Sequence, residues 1–336
     1  MIDYFVSVLT LISIFAIVVL ALNVRWGWAG EFDFFVYGLL ALGAYVYAVI
    51  TLPPAPKNDP GLIYMLGLSQ PFPVGVLGAM TVTGLVSLIV GAVALRNLRQ
   101  VFFGIMTFSS VLIMAAVISQ ETPIFNGYNG VFGLAQPFND LLQLSDEQYS
   151  FFFLGLCLVS LFLIYLLLER IFWSPYGLVL RAIREDEVAA AAFGKSPYTA
   201  RLKAYVLGGV IAGLSGALLV SYLTAFNTDA WTPQETVLIF ACIIIGGTAN
   251  GRGAILGSFI VFGLILEGTR FLPPIPGHPD APSAVRAIAI AVVMLVFLRW
   301  RPQGILPERH LKDGEPGQPS APLRALWSRL RVARGR

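Results

Sequence analysis

Five charges crowd seven positions in the middle of the chain: Arg181, Arg184, Glu185, Asp186 and Glu187. They run into Val188, four alanines and Phe193, which have strong helix propensity. Gly194 follows as a C-cap and Pro197 blocks continuation, so the spacing predicts a short helix over 181–193. Mixed charges on such a helix make polar contacts and do no bond chemistry. A helix of this kind, exposed between apolar runs, suits docking into a groove on a partner and passing on its motion. A second pair of charges, Glu31 and Asp33, falls at the edge of an apolar run. Carboxylates are expensive in lipid and are functional candidates there. Two readings stand side by side: they meet a substrate ammonium, or they sit in the wet interface beside Arg25.

Other chemistry finds little to work with. His278 and His310 are the only histidines, and Cys157 and Cys242 both lie in apolar runs. Neither a metal-ligand set nor a nucleophile–base pair emerges. Ala189-Ala-Ala-Ala-Phe-Gly-Lys-Ser196 satisfies a loose phosphate-loop pattern. A true one needs a glycine-rich turn between strand and helix, and four alanines in a helix offer no such nest. If ATP is involved, a separate subunit binds it.

The elements that must hold these residues are hydrophobic. The chain has 336 residues, 57% hydrophobic and only 12% charged, with a mean hydropathy of +0.77. Soluble domains carry about 25% charged residues, so an ordinary soluble enzyme and a disordered chain are both excluded. A net charge of +3 gives no sign of nucleic-acid binding. Apolar runs lie near 4–22, 34–52, 74–95, 101–119, 151–172, 204–224, 236–247, 254–272 and 284–298. A spanning helix needs about 20 such residues. The expected fold is therefore an all-α polytopic membrane protein with about 8–10 transmembrane helices. Run 236–247 is short for a full span and is expected to pair with 254–272 as a tight hairpin or re-entrant pair. The first run lacks a basic n-region and is read as a span, not a signal peptide.

Lysine and arginine set the orientation. With the N-terminus outside and nine spans, all but Lys57, Arg270 and Arg286 of the 22 basic residues fall inside, and the C-terminus is cytoplasmic. The transmembrane body is expected over 1–308, with loop 174–203 cytoplasmic. The acidic segment 120–150 is the largest outside loop. Residues 309–336 form a cytoplasmic tail, in which 323–336 is read as a basic amphipathic segment on the lipid surface, or as a solvated tail. Gly208, Gly209, Gly213 and Gly216 lie at helical spacing in one span and read as close-packing positions.

Four stretches carry a family resemblance. Leu180-Arg-Ala-Ile-Arg-Glu-Asp-Glu-Val-Ala-Ala-Ala-Ala-Phe-Gly-Lys195 resembles the coupling loop of the LivM-like permease subunits of branched-chain amino acid ABC importers. Gly246-Gly-Thr-Ala-Asn-Gly-Arg-Gly-Ala-Ile-Leu-Gly257, Asn126-Gly-Tyr-Asn-Gly-Val-Phe-Gly-Leu134 and Arg301-Pro-Gln-Gly-Ile-Leu-Pro307 are similar to further stretches of that family, in its order. Asn23, Gly27, Gly30, Gly43, Ala44 and Tyr45 fit its first motif, while Asp33-Phe34-Phe35, preceded by Glu31, departs from it.

The resemblance implies an importer in the bacterial inner membrane. It would hold two ABC ATPase subunits carrying ATP and Mg, a second related permease and an extracytoplasmic binding protein, with this chain binding no cofactor. Branched-chain or other hydrophobic amino acids are the implied cargo; urea or amides within the family, or an ion-coupled secondary transporter outside it, are the alternatives. Arg181, Arg184, Glu185, Asp186, Glu187 and Gly194 are the candidates for ATPase coupling. Glu31, Asp33, Gly246, Gly247 and Asn250 are the candidates for the substrate path, the stretch 246–253 being either an unwound connector or a plain hairpin turn.

Overall fold

Hydrocarbon offers no hydrogen bonds, so a spanning chain must close its backbone bonds within itself. The computed structural model describes residues 2–55, 66–97, 100–227, 233–270 and 281–309, and there the chain is almost wholly helical. Helix α1 (Ile2–Leu22) runs on as a π-helical turn, Asn23–Trp28. Then follow α2 (Phe35–Thr51), α3 (Phe72–Asn97) and α4 (Gln100–Gln120). Short turns α5 (Thr122–Phe125) and α6 (Asn139–Leu142) flank the strand β1 (Val131–Phe132). Next come α7 (Asp146–Phe172), α8 (Pro175–Glu185), α9 (Glu187–Ala192), α10 (Pro197–Leu223) and the strand β2 (Ala225–Phe226). The last described elements are α11 (Pro233–Gly246), α12 (Gly251–Ser258), a π-helical stretch Phe259–Leu266, α13 (Glu267–Arg270) and α14 (Ala281–Trp300). The expected tail segment 323–336 lies outside the described residues.

Among the described residues, six helical stretches are long and apolar enough to cross a membrane: Asp3–Trp28, Phe72–Arg96, Val101–Gln120, Asp146–Phe172, Pro197–Leu223 and Gly251–Thr269. Two shorter apolar helices, Phe35–Thr51 and Glu235–Gly246, run among them, as does α14. The expected all-α membrane bundle is what forms. Contacts sort its connectors into two ends. One end, here the charged end, gathers residues 29–34, the α8–α9 loop, the α11–α12 turn and 301–309. The other, the loop end, gathers 66–71, 121–145 and 224–227.

The inner helices are α1, α2 and α10, α2 being buried over nearly its whole length. In the most apolar windows of α1 and α10, 67% of residues are buried, against 28% in α3, α4 and α7, which leave most of their surface for lipid or partners. Lipid supplies no hydrophobic drive between helices, so small residues must admit close approach. On α10, Gly208 lies against Arg25 and the Ala21 carbonyl, and Gly213 faces Gly43 of α2. A side chain at Gly216 would collide with the Leu40 carbonyl. The close-packing reading of these glycines agrees with the structure.

Two details differ from expectation. The helix expected over 181–193 is two helices broken at Asp186, whose backbone is extended (φ −151°, ψ 101°). Its carboxylate accepts the Ala189 N–H at 2.9 Å and caps α9. Aspartate favours such caps over helix interiors. Helix α1 also outlasts its apolar run by a π-helical turn, which brings Arg25 into the bundle.

Candidate functional site

The loop after α7 begins with a cap. Ser174 Oγ accepts the Gly177 N–H at 3.4 Å, and Pro175 opens α8 with its fixed φ. One face of α8, with Leu180 and Ile183, is buried in the bundle. Helix α9 is different: Ala190 is its only buried residue. Val188 is 80% exposed and Phe193, at its C-cap, is 84% exposed. Gly194 takes φ +75° and closes a double C-cap, its N–H reaching Ala191 O (2.9 Å) and the Lys195 N–H reaching Ala190 O (3.2 Å). The phosphate-loop look-alike is thus a helix C-terminus, whose exposed carbonyls disfavour phosphate.

The arginines of this loop turn inward. Arg184 donates through Nη1 to the Gly27 carbonyl and through Nη2 to Glu308 at 2.7 Å. Arg181 lies 4.2 Å over the Phe172 ring and donates to the Phe172 carbonyl at 3.4 Å. Burial lowers its pKa, with the Glu308 carboxylate opposing. Glu187, 51% exposed, accepts from Arg201 Nη1 at 2.9 Å. Glu185 and Asp186 are exposed, Asp186 being occupied as the cap.

Glu31 and Asp33 do not sit in a wet interface. Asp33 and Arg25 are an ion pair with both side chains 0% exposed. Asp33 Oδ1 also accepts from Phe35 N (2.9 Å) and Tyr205 Oη (3.2 Å), and Arg25 Nη2 donates to Ser87 Oγ (2.9 Å). The guanidinium lies 3.9 Å over the Tyr205 ring. Glu31, 5% exposed, lies 3.1 Å from Arg201 Nε. Burial pushes its carboxyl up to about 7; Arg201 pulls it down, and Glu187 and Asp33 push it up.

The stretch 246–253 is a tight hairpin turn. Gly246 packs backbone to backbone against Gly253, and Gly247, at φ +123°, against the Leu306 carbonyl. Asn250 caps α12 by accepting from Arg252 N (3.1 Å) and donates to the Pro307 carbonyl (2.9 Å). Residues 301–309 are laced to the turn by Ile305 N to Ile245 O and Leu306 N to Gly246 O, both 2.9 Å. Asn23 Oδ1 accepts from Ala249 N at 2.9 Å and ties the turn to α1. Gly246, Gly247 and Asn250 share the charged end with Glu31 and Asp33. An apolar groove of about 660 Å³ lies close by, lined by Trp26, Phe32, Phe34, Val101, Gly104, Ile105 and Phe108. The aromatic run around 26–35 was its only signal in the sequence.

The family model described as branched-chain amino acid transport system, permease component, matches residues 4–298. The chain belongs to that family. It is a multi-pass membrane permease component of ABC type. It is 28% identical to a probable branched-chain amino acid transport permease LivM of Methanocaldococcus jannaschii, covering 92% of this chain and 94% of that one. It is 26% identical to the high-affinity LivM permease of Escherichia coli K12, over 92% of this chain and 72% of that one. A probable LivH permease of M. jannaschii is 29% identical over 60% of this chain and 62% of its own length. No solved structure matches.

In this permease the two candidate groups are joined mechanically. Arg184 and Arg201 connect α8–α10 to the connector 29–34 and its preceding π-turn, and that connector carries Phe32 and Phe34 into the groove. Phe240 of α11 completes the aromatic cluster, 5.1 Å from Trp26 and 4.7 Å from Phe32.

Proposed function

We propose that this permease is one membrane subunit of an ATP-driven importer of branched-chain or other hydrophobic amino acids. It resides in the bacterial inner membrane with its charged end in the cytoplasm. Its partners are two ABC ATPases, which hold ATP and Mg, a second related permease and an extracytoplasmic binding protein. The chain itself catalyses nothing. The names of the LivM relatives support the cargo, and the LivH relative supports a paired permease. The positive-inside distribution supports the orientation.

One observation carries the coupling role. Helix α9 presents Val188 and Phe193 to solvent at the charged end, while Arg184 and Glu187 are bonded back to the chain. An apolar knob on a stapled base suits a hydrophobic pocket on a partner, with Phe193 as its anchor. When the ATPases close, the knob moves and the bundle alternates between outward and inward access. The test is uptake of labelled leucine, isoleucine and valine into proteoliposomes holding the full complex. Uptake that needs ATP and the binding protein is expected. Uptake driven by an ion gradient without ATP would overturn the reading.

A further inference from the structure

We propose that Arg201 is a transmission residue, exchanged between Glu187 of the coupling helix and Glu31 of the first connector during the transport cycle. This rests on the coupling role of α9.

Three observations converge on it. First, Arg201 stands in the opening turns of α10, directly after the coupling loop, and touches both carboxylates at once. Its bond to Glu187 is directed, Nη1 to Oε2 at 2.9 Å. Its contact with Glu31 is not: Nε lies 3.1 Å from Oε1 without hydrogen-bond geometry. One guanidinium thus serves two carboxylates, and only one of them fully.

Second, the two carboxylates differ in surroundings. Glu187 is half exposed and rides on a helix that holds the bundle through one buried alanine. Glu31 is buried on a connector whose backbone is fixed, its N–H donating to the Arg25 carbonyl at 3.0 Å. A pull on α9 therefore moves Glu187 and leaves Glu31 in place. Arg201 must then release one or the other.

Third, the next turn of α10 gives the exchange a fulcrum. Tyr205 bonds Asp33, and Asp33 with Arg25 is wholly buried. On the same connector the Asp33 side chain is pinned, while the Glu31 side chain has an undirected contact with Arg201. Between them lies Phe32, with Phe34 beyond, both lining the aromatic groove. A change of grip at Glu31 reaches that groove within one residue.

Charge supports the exchange. The groups facing Glu31 are Arg201 from α10, Glu187 from α9 and Asp33 from its own connector, which Arg25 neutralises. When Arg201 favours Glu187, Glu31 is left buried and takes a proton from water at that end. When Arg201 favours Glu31, the carboxylate is ionised and gripped. Coupling is accordingly tighter above the Glu31 midpoint, near pH 7.

The test measures amino acid uptake per ATP hydrolysed by the full complex in proteoliposomes, from about pH 6 to about pH 8. The ratio is expected to rise through a midpoint near Glu31's titration. E31Q fixes the ratio at its low-pH value and flattens the profile. E187Q removes a neighbouring negative charge and lowers the midpoint. R201Q removes the cation and raises it by about one unit or more. Opposite shifts from removing the arginine and from removing its Glu187 partner do not arise from loosened packing. Glu187 is half exposed, so E187Q keeps the test alive if E31Q fails to assemble. A wild-type ratio that is flat with pH, or the same midpoint in E187Q and wild type, overturns the exchange. Failure of wild type to couple uptake to ATP at any pH overturns the importer reading instead.

Discussion

The two ends of the bundle are tied by different bonds. At the loop end the ties are mainly backbone. β1 pairs with β2, with Val131 opposite Phe226; Leu134 N bonds Thr224 O; Ser69 and Gln70 bond back to Leu52 and Ile50. Asn126, with φ +62°, donates to the Gly130 carbonyl at 2.7 Å. At the charged end the ties between elements are largely side chains: Arg184 with Glu308, Arg309 with Glu169, Arg201 with Glu31 and Glu187, Arg252 with Tyr165. Backbone lacing has one register and gives it up only by local unfolding. An ion pair can trade partners at little cost when one member is half solvated. The charged end is therefore the one able to change state while the helices stay folded.

The largest test of this contrast is the Arg25–Asp33 pair, the wholly buried charged tie among the described residues at that end. Removing one partner leaves a buried charge and costs about 3–5 kcal/mol. D33N is expected to lower thermal stability in detergent or abolish accumulation, and the double change R25M/D33L to recover much of the loss. If D33N is as stable as wild type, the pair is no anchor.

Next in size is Glu31. A carboxyl raised in the fold to about 7 contributes stability that is complete below its ordinary value of 4.5 and is lost as pH rises through 7. The permease should therefore be less stable at about pH 8 than at about pH 5, by on the order of 3 kcal/mol from this group. E31Q should remove that component of the slope, as followed by thermal unfolding in detergent at each pH.

Phe193 follows. It is 84% exposed, so F193A should leave the permease's own stability within about 0.5 kcal/mol. As an interface anchor it should weaken ATPase association by about 2 kcal/mol or more, measured by titration of purified ATPase. Loss of stability without loss of association would remove it from the docking surface.

The bundle was legible because its signals are local. Apolar runs mark helices wherever they lie, and the hairpin at 247–250 and the C-cap at Gly194 are written in adjacent residues. The break at Asp186 was hidden by the alanines that follow it, whose summed propensity outweighed one good cap. The burial of Arg25 was hidden for another reason. A π-turn shifts side chains off the ordinary helical period, and the partners Ser87 and Tyr205 come from α3 and α10. Phe193 read as one more residue in a bland helix, because exposure of an aromatic side chain is a property of the fold. The inward aim of Arg184 depends on Glu308, 124 positions away.

Arg184 and its neighbour Glu185 provide the finest test, since one peptide bond separates an inward charge from an outward one. R184A loses charge-assisted bonds to Gly27 and Glu308, a cost of about 1.5–3 kcal/mol in stability. E185Q alters an exposed side chain at the C-terminal turn of α8, where a negative charge opposes the helix dipole, so stability should hold or rise by a few tenths of a kcal/mol. In ATPase titrations the order should reverse in kind. E185Q changes binding directly if the outward face of α8 meets the partner, whereas R184A acts through the position of α9. Measuring both variants for stability and association separates the staple from the docking face. Equal effects of the two substitutions on both readouts would mean that α8 has no sidedness, and the division between inward staples and outward contacts would fall with it.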